Sequence, residues 1–177
     1  MSRQMWVEGL FWVTADGTAV ANTTTETIIF QNVTIPANYM ADGRAIRLRA
    51  FGKLSTTGTP TITFAIRWGG VSGTVLATSE AITCSTGSAN TAWSIEAIIQ
   101  TRSNGAAGSL FVMGDVVVNL TASTNTSQTF GVSGFDAPAA VTVDLTTDTA
   151  LSITADWSAA SASNTLTGHI YTGESLN

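Results

Sequence analysis

From residue 26 to residue 171 the chain alternates apolar and polar side chains with a period of two, broken at short intervals by Gly, Asn, Ser and Asp. Successive strand residues point to opposite faces, so this is the pattern of short antiparallel strands in a sandwich or barrel. No stretch sustains the period of a helix. Candidate strands cover 26–35, 44–54, 61–68, 75–84, 92–101, 109–120, 128–132, 141–145, 150–157 and 164–171, of which eight or nine are expected to form. Their separators carry turn chemistry, as at Ala41-Asp42-Gly43 and Asn104-Gly105, and Pro60 stands where a strand begins and its missing N–H costs little. The expected fold is all-β: a two-sheet antiparallel sandwich of about eight strands over 21–177, with an N-terminal arm over 1–20.

Composition narrows what such a sandwich does. A length of 177 residues suits one domain, and 44% apolar against 11% charged residues excludes an acidic disordered chain or a coiled coil. The net charge of −5 and pI near 4.5 argue against gripping nucleic acid through bulk charge. Mean hydropathy is high at +0.25, yet no run approaches the roughly 18 apolar residues of a membrane span, so neither nucleic acid nor membrane is an expected partner. Cys84 stands alone, which rules out an intrachain disulfide and a cysteine-built metal site. The apolar stretch from Met5 to Val13 is interrupted by Glu8 and lacks a clean small-residue cleavage site, so the mature chain is expected to start at Met1.

The period of two assigns faces. Ile62, Phe64, Ile66 and Trp68 share one face, and Leu151, Ile153, Ala155 and Trp157 another, each opposed by polar residues. The middle of the chain is apolar on both sides: Leu110, Val112, Val116 and Val118 oppose Phe111, Met113 and Val117. Ile98 likewise opposes Trp93, Ile95, Ala97 and Ile99, and Phe51 opposes Ile46, Leu48 and Ala50. A second apolar side needs a cover, and subunit contact is the expected one; a loop or the N-terminal arm folding back is the alternative.

Residues able to carry catalysis are sparse. His169 is the only histidine, and no nucleophile elbow, zinc-protease, phosphate-loop or dinucleotide motif occurs, so it reads as an ordinary strand histidine. Asp16, Asp42, Asp136 and Asp148 sit in turn-like contexts, and no calcium loop is present; no catalytic residue, metal or cofactor is expected. Arg44, Arg47, Arg49 and Lys53 place four of seven cations within ten residues, and Arg47, Arg49 and Lys53 share a side with Phe51. Arg67 is expected beside this ridge, with Glu96 or Asp115 as partners inside the protomer or across an interface. The arm brings Trp6, Phe11 and Trp12 together, either as an extra edge strand of the same sandwich or as an anchor on a neighbour. Trp68, Trp93 and Trp157 lie at strand ends with inward parity, which favours core packing over stacking on sugar rings.

Several runs carry a resemblance: Asn22-Thr-Thr-Thr-Glu-Thr-Ile-Ile-Phe30, Thr34-Ile-Pro-Ala-Asn38, Arg47-Leu-Arg-Ala-Phe-Gly52 and Thr57-Gly-Thr-Pro-Thr-Ile-Thr63. It continues through Arg67-Trp-Gly-Gly70, Trp93-Ser-Ile-Glu96, Arg102-Ser103 and Ala155-Asp-Trp-Ser-Ala-Ala-Ser-Ala-Ser-Asn164. Over roughly residues 22–177 the chain resembles jelly-roll structural proteins of tailed bacteriophages. That resemblance implies a jelly-roll sandwich on a virion, as capsid cement or as a fibre or spike head, with no active site. The expected function is a non-enzymatic cement, or decoration, protein stabilising the major capsid lattice. It implies the major capsid protein and further copies of this chain, as a homotrimer, for partners, on the capsid exterior after a stay in the host cytoplasm. Under the alternative, a host-surface glycan is the partner. The expected interface comprises the arm, the cationic ridge with Phe51, and Ile98, Phe111 and Met113.

Overall fold

Strands with one apolar face hide it most simply by meeting a second sheet, and this chain lays two antiparallel sheets face to face. A computed structural model of the chain describes residues 7–121, 124–131 and 138–176, and every regular element in them is a strand. In the front sheet, β1 (Val7–Trp12) and β2 (Val20–Ala21) pair with the final strand, β14 (Thr165–Leu176). Then come β5 (Ala45–Ser55), β9 (Thr91–Ser103) and β10 (Gly108–Asn119), with β11 (Asn125–Phe130) and β12 (Ala140–Val143) both pairing with β10. In the back sheet, β3 (Thr27–Ile28) and β4 (Val33–Ile35) pair with β13 (Thr149–Trp157). Next to β13 lies β6 (Thr61–Trp68), which carries β7 (Thr74–Thr78) and β8 (Ile82–Thr83).

The chain changes sheet between β4 and β5 and again between β5 and β6, and its last two strands return to lie beside the first ones. β13 inserts between β3/β4 and β6, and β14 between β1/β2 and β5, which is the wrap of a jelly roll.

Fourteen strands form among the described residues, against the eight or nine that the alternation suggests, because side chains interrupt the ladders. In the stretch 75–84, Ser79 Oγ accepts the Phe64 N–H at 3.0 Å, a bond that a ladder carbonyl makes elsewhere. In the stretch 26–35, Ser152 Oγ donates to Asn32 Oδ1 at 2.7 Å between β3 and β4. The arm adds β1 and β2, and position 132, at the end of one expected strand, lies outside the described residues.

The inward faces meet in one core. Trp93 on β9 lies 5.3 Å from Phe64 on β6 and 6.2 Å from Phe30, centroid to centroid. All three tryptophans given inward parity are buried, and the Trp68 and Trp157 N–H groups donate to the carbonyls of Asp144 and Val20. β14 bulges between Gly168 and Ile170. A Cβ on Gly168 would stand 2.3 Å from the Phe30 ring, so only glycine admits that ring against the strand. The extra residue, His169, shifts the parity of the rest of the strand, so Tyr171 points into the core and Ile170 out.

Candidate functional site

The front sheet's outward face is set by its register. One row runs Glu174, Arg47, Ile98, Met113; the next Trp12, Thr172, Arg49, Glu96, Asp115; the third Ile170, Phe51, Ser94, Val117. Among the described residues, six of the seven exposed large hydrophobic side chains lie on this face: Val7, Trp12, Phe51, Ile98, Met113 and Ile170, with Val71 elsewhere. Trp12 is 65% and Ile170 51% exposed, far above what core packing leaves. Phe111 shares the face but is half-covered by the Arg102 guanidinium, 5.0 Å above its ring. No loop or arm covers this face among the described residues.

Phe11 turns the other way. It packs on Tyr171 at 4.8 Å, edge to face, so the arm supplies an edge strand of the protomer's own sandwich and offers Trp12, not Phe11, to the outside. Trp6 lies outside the described residues.

The cationic ridge is partly neutralised within the protomer. Arg49 Nη2 reaches Glu96 at 3.1 Å, and Arg47 reaches Glu174 at 3.4 Å and Glu96 at 3.9 Å. Such exposed pairs contribute at most about 1 kcal/mol each. Arg44 leaves the ridge, stacking 4.4 Å over the Tyr39 ring and donating to the Tyr39 carbonyl at 2.8 Å. Lys53 and Asp115 have no ion-pair partner among the described residues. The expectation that Arg67 joins this ridge fails: β6 belongs to the back sheet, because the turn at Thr57 to Pro60 crosses between sheets instead of forming a hairpin.

Arg67 instead holds Glu26, Nε to Oε1 and Nη2 to Oε2 both at 2.5 Å, and the Thr154 hydroxyl donates to the same carboxylate. Burial alone would raise Glu26, but the Arg67 guanidinium and the Thr154 hydroxyl outweigh it and hold the pKa below its ordinary value. Its stabilising share is present at neutral pH and is lost as pH falls through the folded value. Burial, and then the Glu26 charge, push Asp156 the opposite way, above its ordinary 3.8. Ionising Asp156 therefore costs the folded state, and that part of stability is complete below 3.8 and lost as pH rises through the folded value. Asp156→Asn is expected to raise the melting temperature at about pH 7 and leave it unchanged near about pH 3, read by thermal denaturation in circular dichroism.

The remaining chemistry-bearing groups do not converge. His169 Nδ1 is 2.8 Å from Asp16 Oδ1 at the bulge, with no nucleophile bonded to the pair among the described residues. Asp148 accepts the Ala37 N–H at 2.8 Å and Asp42 the Asn104 N–H at 2.7 Å, so each ties its loop to backbone 111 and 62 positions away instead of bonding within its own turn, while Asp136 lies outside the described residues. Cys84 is buried, and burial pushes its thiol up to about 11. No group of three or more His, Cys, Asp or Glu side chains is placed to hold a metal ion among the described residues. A cleft of about 430 Å³ between residues 86–91 and 119–121 is lined by Ser, Thr and Asn residues together with Gly87, Ala89 and Leu120, and by no ionisable group.

Reading the sequence missed Ile170 and Glu174 on the front face. Gly168 was the available signal, since glycine inside a strand often marks a bulge. Comparison with protein-family models and with curated proteins found no match to this chain.

Proposed function

We propose that this chain is a non-enzymatic structural protein of a tailed-bacteriophage virion, working as capsid cement on the major capsid lattice. The observation that carries the reading is the outward face of the front sheet, where six exposed apolar side chains are gathered among paired charges on a broad sheet. A surface of this kind works by burying area against other proteins, and monomers rarely leave one open. Contacts run to the major capsid protein and to further copies of this chain, with a homotrimer as the assembled unit. The sugar-stacking reading has lost Trp68, Trp93 and Trp157 to the core.

Cement stabilises a shell by mass action, since it binds the assembled lattice and not its dissociated parts. Capsids carrying the protein are expected to survive higher temperature than stripped capsids, and adding the protein back should restore the difference. At a free concentration of 100 times Kd, one saturated site supplies about 2.7 kcal/mol. Equal thermal survival of decorated and stripped particles, followed by electron microscopy, would remove the cement function and shift the reading to a fibre or spike head that recognises the host.

A further inference from the structure

We infer that the cleft between residues 86–91 and 119–121 is a binding site for a neutral saccharide, held by side-chain amides and hydroxyls. The cleft lies off the apolar rows that carry the cement reading, so the site and that reading can fail separately.

The antiparallel register sets the cleft. β9 begins at Thr91 and β10 ends at Asn119, and Trp93 opposite Val118 places those two ends side by side. One wall is the loop entering β9 and the other is the chain leaving β10, beyond the Phe51, Ser94, Val117 row. Both walls are fixed by the chain itself. The buried Ser88 hydroxyl donates to the Leu120 carbonyl at 2.7 Å, which ties one wall to the other. The Thr56 N–H donates to the Ser88 carbonyl at 2.9 Å and its hydroxyl to the Ser85 carbonyl at 2.6 Å, while the Asn90 N–H donates to Ser55 Oγ at 3.0 Å. The loop is thereby anchored on the end of β5, and a ligand does not have to order it.

The lining selects the class of ligand. Six of the nine lining residues are Ser, Thr or Asn, and none is ionisable. An ionic ligand would leave water for a cleft without a countercharge, an unfavourable exchange. Lys53 is the nearest charge in the ladder, opposite Ala92, and it does not line the cleft. A wholly apolar ligand would strip water from the amides and hydroxyls and return no hydrogen bond. A sugar meets both conditions, because each of its hydroxyls donates and accepts while its ring carbons can rest on Leu120. Asn90 and Asn119 present one side-chain amide from each wall, and neither amide is hydrogen-bonded within the chain among the described residues. The Thr91 hydroxyl in the same lining is buried without a partner, so a hydrogen bond from a bound molecule would remove a standing cost. At about 430 Å³ the cleft falls within the range of about 300–1,000 Å³ for small-molecule sites, room for a mono- or disaccharide. No aromatic ring lines it, so recognition runs through hydrogen bonds and the affinity should be millimolar.

The test titrates the isotope-labelled full chain, without capsids, and follows its backbone amide signals by nuclear magnetic resonance. Glucose, galactose, mannose, N-acetylglucosamine, maltose, cellobiose and lactose are added separately to about 50 mM, with glucuronate as the charged control. At least one neutral sugar is expected to shift the signals of 86–91 and 119–121 with a millimolar Kd, leaving those of Ile98 and Met113 in place. Asn119→Ala should weaken binding at least fivefold, the loss of roughly one neutral hydrogen bond, with the sheet circular dichroism unchanged. Asn90→Gly should do the same, since glycine accepts the φ of 53° at that position and removes only the amide. No shift with any neutral sugar, shifts confined to other residues, variants that bind as wild type does, or glucuronate binding tighter than every neutral sugar would each overturn the inference. Sugar binding by a protein that leaves capsids unprotected would keep this site and remove the cement reading. Protection of capsids without sugar binding would do the reverse.

Discussion

Trp93→Ala is expected to lower the free energy of unfolding by about 3–5 kcal/mol, the range for deleting a buried aromatic from a core that only partly collapses. Trp93 is 2% exposed and sits where the two sheets meet, against Phe64 of the back sheet and Phe30 before β4. Removing it therefore weakens the contact between layers as well as the front sheet. For a chain of this size the melting temperature should fall on the order of 10 °C. Trp93→Phe should cost less than half as much. The indole N–H has no acceptor among the described residues, so phenylalanine forfeits area but no hydrogen bond. Equilibrium denaturation in guanidinium measures both changes. A cost for Trp93→Ala below about 1.5 kcal/mol would place the ring outside the inter-sheet core.

Gly52→Ala should be nearly as damaging, although it adds only one methyl group. A Cβ at Gly52 would lie 2.0 Å from the Thr167 carbonyl oxygen and 2.7 Å from two atoms of the Trp93 ring. The ring can move, but the carbonyl belongs to β14, paired with β5 along most of its length. Accommodating the methyl group means parting two central strands, so the expected cost is about 3 kcal/mol, at the upper end for overpacking. The double variant with Trp93→Ala separates the two obstacles: the Gly52→Ala penalty should persist, because the backbone oxygen remains when the ring is gone. Disappearance of the penalty in that background would show that the ring alone, and not the β5–β14 ladder, excludes a side chain at this position.

These two sites also show how far local pattern reaches. The period of two placed Trp68, Trp93 and Trp157 inside, and it placed Ile98, Met113 and Phe51 on the opposite side, as the structure does. Alternation is enough for this because a strand's side chains take opposite sides whatever it pairs with. The same rule breaks down along β14, where 169 is an extra residue in a bulge. Counting in twos from the buried Leu166 puts Ile170 inside, whereas its side chain is exposed beside Phe51.

Arg67 marks the other boundary. Strand parity identified its polar side correctly, but nothing within ten residues reveals that β5 and β6 belong to different sheets, or that its partner is Glu26, 41 positions away. Asp16 and His169 meet across 153 positions, and Arg47 and Glu174 across 127. By itself, the sequence determined the all-β class, the inward and outward sets of most strands, and the surplus of apolar residues on the outside of 92–101 and 109–120. Tertiary structure alone decided which strands share a sheet, which charges neutralise each other, and that the surplus forms one continuous face. The physical reason is that alternation is written along a single strand, whereas pairing depends on loop closure and on the packing of both layers together, to which residues far apart in the chain contribute jointly.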